Sequence, residues 1–332
     1  MGKFLKSAAS LLFGVVFVLT STGCKVRTAS ENLSGTYPVE PGGKLVMRLS
    51  QGAVDVQTAD IAGVTIHVTR KMTSLRGDPK EALTRQKIEV QSMSNELRIG
   101  NRRDSSGLPR LQLGDVTDYY EIKVPKKFSV DIESGVGGIR VGSIEGNVSV
   151  KSAADGIAVD RVDGRANLVC SGGDIHVQEV TGELEVRNSG GTIEVGSALG
   201  GITAKSSGGD ITVTYTGENA ELKTAGGDIE VAAVGGGLEA TTAGGDINVE
   251  YKESPKGDGE LKTAGGNVEV VLPANASFDI DAKSAAGDIE TDFNFKADNK
   301  SGSSSGNGSV NGGGKKLRLR SSGGNIYLRT KT

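Results

Sequence analysis

The feature that most constrains this chain is an eighteen-residue internal repeat. Ser171-Gly172-Gly173-Asp174-Ile175-His176-Val177 returns as Ser189-Gly190-Gly191-Thr192-Ile193-Glu194-Val195 and as Ser207-Gly208-Gly209-Asp210-Ile211-Thr212-Val213. It returns again around Ile229 and Ile247. With the Ile as origin, the series is Ile139, Ile157, Ile175, Ile193, Ile211, Ile229, Ile247, Val268, Ile289 and Ile326. A fixed period of this size means one supersecondary unit per repeat, each unit burying its apolar face only by stacking on the next. The longer intervals near the end mark loops.

Within each period apolar residues alternate, as in strands with one buried face. Pairs such as Val148/Val150, Ala166/Leu168, Leu184/Val186 and Ile202/Ala204 precede the Ile, and a valine such as Val177, Val195 or Val213 follows it by two. Each unit therefore reads as two short strands joined by a Gly-Gly corner, where glycine can take positive φ without steric cost. The fold class this predicts is all-β: a parallel β-solenoid (β-helix) of about ten two-strand coils, 18 to 21 residues each. At about 4.8 Å per coil, ten coils would make a rod of roughly 45 to 50 Å. Glycine supplies 50 of 332 residues and tryptophan none, which suits a thin repeated core better than a thick globular one.

Residues 131–332 are the repeats, and residues 37–130 form a less regular N-terminal β region and cap. Leu45, Met47 and Leu49, followed by Gly52, Val54 and Val56, have the spacing of an opening coil. Val64–Val68, Ile88–Val90, Leu97–Ile99 and Tyr120–Val124 alternate as further strands, and Asp78-Pro79-Lys80-Glu81-Ala82-Leu83-Thr84-Arg85 predicts one short helix with Asp78 as N-cap. The Ser- and Gly-rich stretch inside 296–314 is expected to be a disordered insertion, after which Leu317, Leu319, Ile326 and Leu328 complete the last coil.

The first residues bear on location. Lys3 and Lys6 precede the apolar run Leu11–Leu19, a length that suits a signal peptide and is too short to span a bilayer comfortably. Residues 1–23 are read as that signal and 24–36 as a linker. Ser21-Thr22-Gly23-Cys24 resembles the lipobox at which bacteria acylate a cysteine and cleave before it, with Ser21 standing where Leu is usual. The resemblance implies lipidation at Cys24, an anchor worth about 0.8 kcal/mol per buried CH₂; ordinary secretion with an unmodified Cys24 is the alternative. Lys25 after the cysteine implies the outer membrane where there are two. Lys3 and Lys6 are two of 38 basic residues against 41 acidic ones, so the processed chain is mildly acidic and has no basic block. That balance argues against a nucleic-acid partner. With Cys24 acylated, Cys170 has no disulfide partner.

The Gly-Gly-Asp-Ile-x-Val coils, the strand ends Ile122-Lys123-Val124-Pro125 and Val271-Leu272-Pro273, and the closing Ser322-Gly323-Gly324-Asn325-Ile326 resemble the bacterial putative-adhesin family of toastrack-like β-solenoids over roughly residues 37–332. The resemblance implies an exported envelope protein and leaves its biochemical role undefined.

Four columns of the repeat carry candidate chemistry. Asp174, Thr192, Asp210, Asp228, Asp246, Asn267, Asp288 and Asn325 precede the Ile; stacked carboxylates repel by about 1 kcal/mol per pair in water, which calcium would relieve, whereas free exchange with Asn and Thr favours each capping its own corner. No metal and no cofactor is therefore expected. Cys170 falls in a column of small inward residues, Ser152, Asn188, Ser206 and Thr224 among them, and reads as a buried thiol. His67 and His176 lie apart from any serine or cysteine in register, so no nucleophile and base pair forms. Beside the buried pairs run two outward rows, one of Glu185, Thr203, Glu221, Glu239 and Glu260, the other basic, Lys151, Arg187, Lys205, Lys223, Lys262, Lys283 and Arg320. They read as a solvated face, or as a wall for an anionic glycan without the aromatics that stack on sugars. The expected role is a non-enzymatic adhesin or binding scaffold at the cell envelope, with a protein or polysaccharide ligand; the alternative is a β-helical enzyme acting on polysaccharide.

Overall fold

In a computed structural model the protein is described over residues 12–13, 17–20, 27–74, 78–93, 95–103, 114–300 and 302–331. Cys24 and most of the expected signal peptide lie outside these residues. The regular structure of the described chain is β-strand apart from one short helix, and the chain divides into two compact units, 1–153 and 154–332. The division falls after the first regular coils, not at 130/131, because the opening coil is itself regular: Gly43–Leu49 pairs in parallel with Phe128–Ser134, and Ala53–Ala59 with Ile139–Val141.

In the first unit one sheet runs Arg27–Pro38, Gly63–Ser74, Gly114–Pro125, Ala53–Ala59, Ile139–Val141. The other runs Gln86–Met93, Glu96–Arg103, Gly43–Leu49, Phe128–Ser134, Val148–Ser152. The expected linker over 24–36 is thus a twelve-residue strand from Arg27 to Pro38 where it is described. Its sequence gave no warning because its inward residues are Ala29, Glu31, Leu33, Gly35 and Tyr37, too mixed to alternate visibly; the ladder to Gly63–Ser74 recruits it. The helix Pro79–Arg85 starts where Asp78 Oδ1 accepts the Lys80 N–H at 2.9 Å and sets Leu83 against Ala29 and Met72. Beneath it the buried Arg70 guanidinium meets Asp118 and Glu31, each at 3.2 Å, and reaches the Leu83 carbonyl at the end of the helix. Burial pushes the Asp118 carboxyl up while Arg70 pulls it down.

In the second unit the coils stack in the expected register. Ile175 lies beside Ile193, and Ile193 beside Ile211, while Leu184, Ile202, Ala220 and Leu238 form the matching column of the other sheet. All are buried. The corner glycines are there for a different reason from the one expected. None of Gly209, Gly227, Gly245 or Gly266 has positive φ. A Cβ on them would instead lie 2.2–2.4 Å from the carbonyl oxygen of the equivalent glycine one coil back. Close backbone approach between coils, not turn chirality, demands glycine there.

The column of small residues five before the Ile locks this contact. Thr242 Oγ1 donates to Gly227 O of the preceding coil at 2.8 Å and accepts the Gly245 N–H of its own corner at 3.2 Å. Thr224, Thr263, Ser284 and Ser321 do the same. Cys170 takes part through its thiol, which lies 3.3 Å from both Asp155 O and Gly173 N.

Two features at the end of the chain depart from expectation. The coil made by Lys315–Ser321 and Ile326–Thr330 is last in sequence but not in space: it inserts between the 259–272 coil and the 278–291 coil. The 296–314 segment, expected to be disordered, is a hairpin of Lys296–Lys300 and Ser303–Val310. Ser303–Val310 runs antiparallel to Phe278–Ser284 and brings Val310 beside Phe278. The chain then crosses at Asn311, Gly312 and Gly313, with φ of 48°, 94° and 79°, to start Lys315 on the other side of Phe278. Serine and glycine are strand residues here because Gly306 and Gly308 make room for Phe295. A further adjustment sits at Gly259, aligned with Leu238 and Leu317, where Tyr251 fills the missing volume.

Thr242→Val leaves two buried backbone groups unpaired at constant shape, so we expect a loss of about 1–3 kcal/mol in urea denaturation. Thr241→Val, one residue away on the outward side, is expected to stay within about 0.5 kcal/mol of the parent.

Candidate functional site

The outward face of one sheet in the second unit carries its charges in register. Glu185, Thr203, Glu221, Glu239, Glu260, Arg318 and Asp281 follow one another across adjacent strands, beside the row Arg187, Lys205, Lys223, Thr241, Lys262, Arg320 and Lys283. Strand pleating puts both rows on the same face, and the two rows pair. Lys223 Nζ bridges Glu221 at 2.9 Å and Glu239 at 2.8 Å, Lys205 meets Glu221 at 3.0 Å, Lys262 meets Glu260 at 2.7 Å, and Arg320 meets Asp281 at 2.8 Å. Hydrogen bonds from Lys223 and Lys205 hold the Glu221 carboxyl below the usual range, Lys262 does the same for Glu260, and Arg320 for Asp281. Arg187, Lys205, Lys223, Lys262 and Arg320 are thus engaged by the acidic row.

Where the inner rank of this face carries Gly237 and Asn219 the surface dips. The result is a shallow groove of about 580 Å³ lined by Glu221, Glu239, Asp258, Glu260, Lys316 and Arg318, among others. A second depression of about 610 Å³ lies between the hairpin and Phe278–Ser284, lined by Asp279, Asp281, Lys283, Asn307 and Ser309. Lys316 belongs to both. Sequence reasoning placed Glu221, Glu239 and Glu260 in one row but missed Lys316 and Arg318. The Lys316 backbone N–H donates to Asp258 at 3.1 Å and the Arg318 guanidinium lies 3.7 Å from Glu260 only because the final coil inserts beside the 259–263 strand. The spacing of Leu317 and Leu319 marked a coil, but nothing local said where it would stack.

The other candidates occupy quieter places. From Asp174 to Asn325 the column's carboxylates and amides accept the backbone N–H of the next coil in place of capping their own corner: Asp174 Oδ1 from Thr192 at 2.8 Å, Asp210 from Asp228 at 2.8 Å, Asp228 from Asp246 at 2.7 Å, Asp246 from Asn267 at 2.6 Å, then Asn267 from Asn325 and Asn325 from Asp288 at 2.8 Å. An amide oxygen accepts as a carboxylate does, which explains Asn in the column. Among the described residues no three His, Cys, Asp or Glu side chains gather as a metal would need. His176 is exposed with Nδ1 3.1 Å from Glu194, and His67 Nδ1 lies 2.8 Å from Ser34 Oγ. No described helix is long and apolar enough to cross a membrane.

Stacked parallel coils, side-chain ladders between them and a polar grooved face define a β-solenoid. The chain belongs to the Toastrack DUF4097 family, whose model matches residues 43–329. Solved structures to which it is similar include a putative cell adhesion protein from Clostridium sporogenes (13% identity, 91% of this chain and 100% of that one, TM-score 0.20). A putative adhesin from Bacteroides fragilis matches at 13% identity over 91% and 97% of the two chains, TM-score 0.31. A putative lipid binding protein from Parabacteroides distasonis matches at 12% identity over 90% and 96%, TM-score 0.39. No curated protein matches the chain in sequence.

The depressed carboxyl values of Glu221, Glu260 and Asp281 fix the sign of the acid response. A group whose pKa falls on folding contributes stability above its unfolded value and loses it as pH drops through its folded value. We expect the melting temperature to fall between about pH 5 and about pH 3. The fall should be smaller in about 0.5 M salt, because these exposed pairs are screened.

Proposed function

We propose that this protein is exported, carries lipid on Cys24, and serves at the cell envelope as a non-enzymatic adhesin or binding scaffold whose ligand is an extended polar polymer. The observation that carries this reading is the pair of grooves meeting at Lys316 on one flat face. Asp258, Glu239 and Glu260 offer acceptors to hydroxyl groups, and Lys316 and Arg318 offer donors, along a tract and not at a point. Such a face suits a polysaccharide chain that makes many weak contacts. Pairing of most cations with the acidic row favours a neutral or mixed-charge glycan over a strongly anionic one.

The grooved face lies on strands held by the inter-coil clamps, which suits a rigid presenting surface. Position follows from the same reading: an acylated Cys24 would hold the protein at the membrane, the outer one where there are two.

Two measurements test this. In the unaltered chain the N-terminal peptide is expected to begin at Cys24 and to carry an acyl mass, and Cys24→Ala is expected to abolish fatty-acid labelling and to leave the signal segment uncleaved; an N-terminal Cys24 without acyl mass, or labelling that survives Cys24→Ala, defeats the anchor. On immobilised envelope polysaccharides and glycan arrays, Glu239→Ala and Lys316→Glu are each expected to weaken retention about tenfold, about 1.4 kcal/mol. Release of reducing ends from the same glycans would put the polysaccharide-acting enzyme in place of this reading.

A further inference from the structure

We propose that the outer edge of the Arg27–Pro38 strand is a strand-addition site, closed in the mature protein by the same strand of a second copy of this chain. The proposal rests on the signal-cleavage part of the preceding reading, and its test separates the two.

The inner edge of this strand is fully used, pairing from Arg27 opposite Ser74 to Pro38 opposite Gly63. The outer edge also accepts an antiparallel partner: Leu12–Phe13 pairs with Ser34 and Leu33, and Phe17–Thr20 with Ser30 through Arg27. The segment that occupies the edge is thus the one that cleavage before Cys24 removes. What remains is a long row of unpaired N–H and C=O groups, a surface that proteins blunt with proline, lysine or short strands. Between Thr28 and Tyr37 there is no proline and no lysine, and the one inward charge, Glu31, is held by Arg70.

Behind the edge the end of the sandwich is unfinished. Helix Pro79–Arg85 covers the Ala29 and Met72 side, but an apolar slot stays open at Leu33, Tyr37, Ile66 and Val68 from one sheet and Ile88 and Val90 from the other. Leu33, Ile88 and Val90 are only half buried. The slot holds about 20 Å³, room for about one water molecule. That excludes an acyl chain, a folded ligand or an inserted side chain as occupant and leaves a strand laid along the edge, which would cover the mouth of the slot without entering it.

A second copy meets these conditions. Antiparallel pairing about a two-fold axis at Leu33 sets Leu33 opposite its own copy, with Ser34 facing Asn32 and Tyr37 facing Ala29. The two leucines then meet at the slot. No like charges oppose, since Glu31 faces Gly35 and is already held by Arg70. The contact is isologous and closes at two copies.

The test compares, by sedimentation velocity at about 20 µM, the full chain held uncleaved by Cys24→Ala with the chain of residues 24–332 carrying Cys24→Ser. The full chain is expected to be monomeric and the 24–332 chain dimeric. Leu33→Lys should return the latter to monomer with unchanged circular dichroism and melting temperature. Leu33→Cys should give a covalent dimer on mild oxidation, while Thr241→Cys should not. A 24–332 chain that stays monomeric, or one that dimerises regardless of Leu33→Lys, overturns the proposal. N-terminal mass analysis of protein from host membranes reads cleavage separately, so a failure there leaves the edge measurement standing.

Discussion

Everything in the second unit depends on how closely one coil can lie on the next at the Gly-Gly corner. The two backbones approach until a β-carbon on the second glycine would stand 2.2–2.4 Å from the carbonyl oxygen behind it. Only at that distance do the parallel ladders close on both sheets, and only then can one hydroxyl span from its own corner N–H to the carbonyl of the previous coil. The buried Thr and Ser column and the outward Asp and Asn column are two solutions to one problem: the backbone groups of a corner have no strand partner and must be satisfied by side chains. One column works from inside, the other from the surface, and both bond between coils. The corner is thereby a seam and not merely a turn.

This seam explains which substitutions the repeat tolerates. Thr, Ser, Asn and Cys all appear in the inner column because each can bridge a donor and an acceptor at that spacing, as Asn188 and Cys170 do with Gly173 and its neighbours. Asp and Asn interchange in the outer column because only an acceptor oxygen is needed. Cys170 is therefore a member of a structural ladder, and its thiol stands where neighbouring coils carry a hydroxyl or an amide.

The displaced last coil links fold to site. A hairpin that runs antiparallel to Phe278–Ser284 delivers the chain to the start of that strand, and three residues at positive φ turn it back to the other side. The chain thus enters between two coils that are consecutive in sequence, and each of them pairs with it and not with the other. Lys316 and Arg318 gain Asp258 and Glu260 as neighbours, and two grooves join that would otherwise be separate.

What the sequence by itself determined is whatever depends on a neighbour at constant offset. Stacking of Ile175, Ile193 and Ile211, burial of the small-residue column, the outward charge rows and the Asp78 cap all follow from period and alternation, because each contact recurs eighteen residues away or within one turn. What only the tertiary structure decided has no fixed offset. The strand at Arg27–Pro38 exists because Gly63–Ser74 offers a free ladder, and serine and glycine at 303–310 become strand because Phe278–Ser284 and Phe295 supply the packing they lack. Insertion of the final coil depends on the hairpin that carries the chain past Phe278, a contact set by no fixed offset. Parallel ladders accept any strand of the right spacing, so identity of pattern cannot fix order in space, and the groove built by that order was beyond local reading.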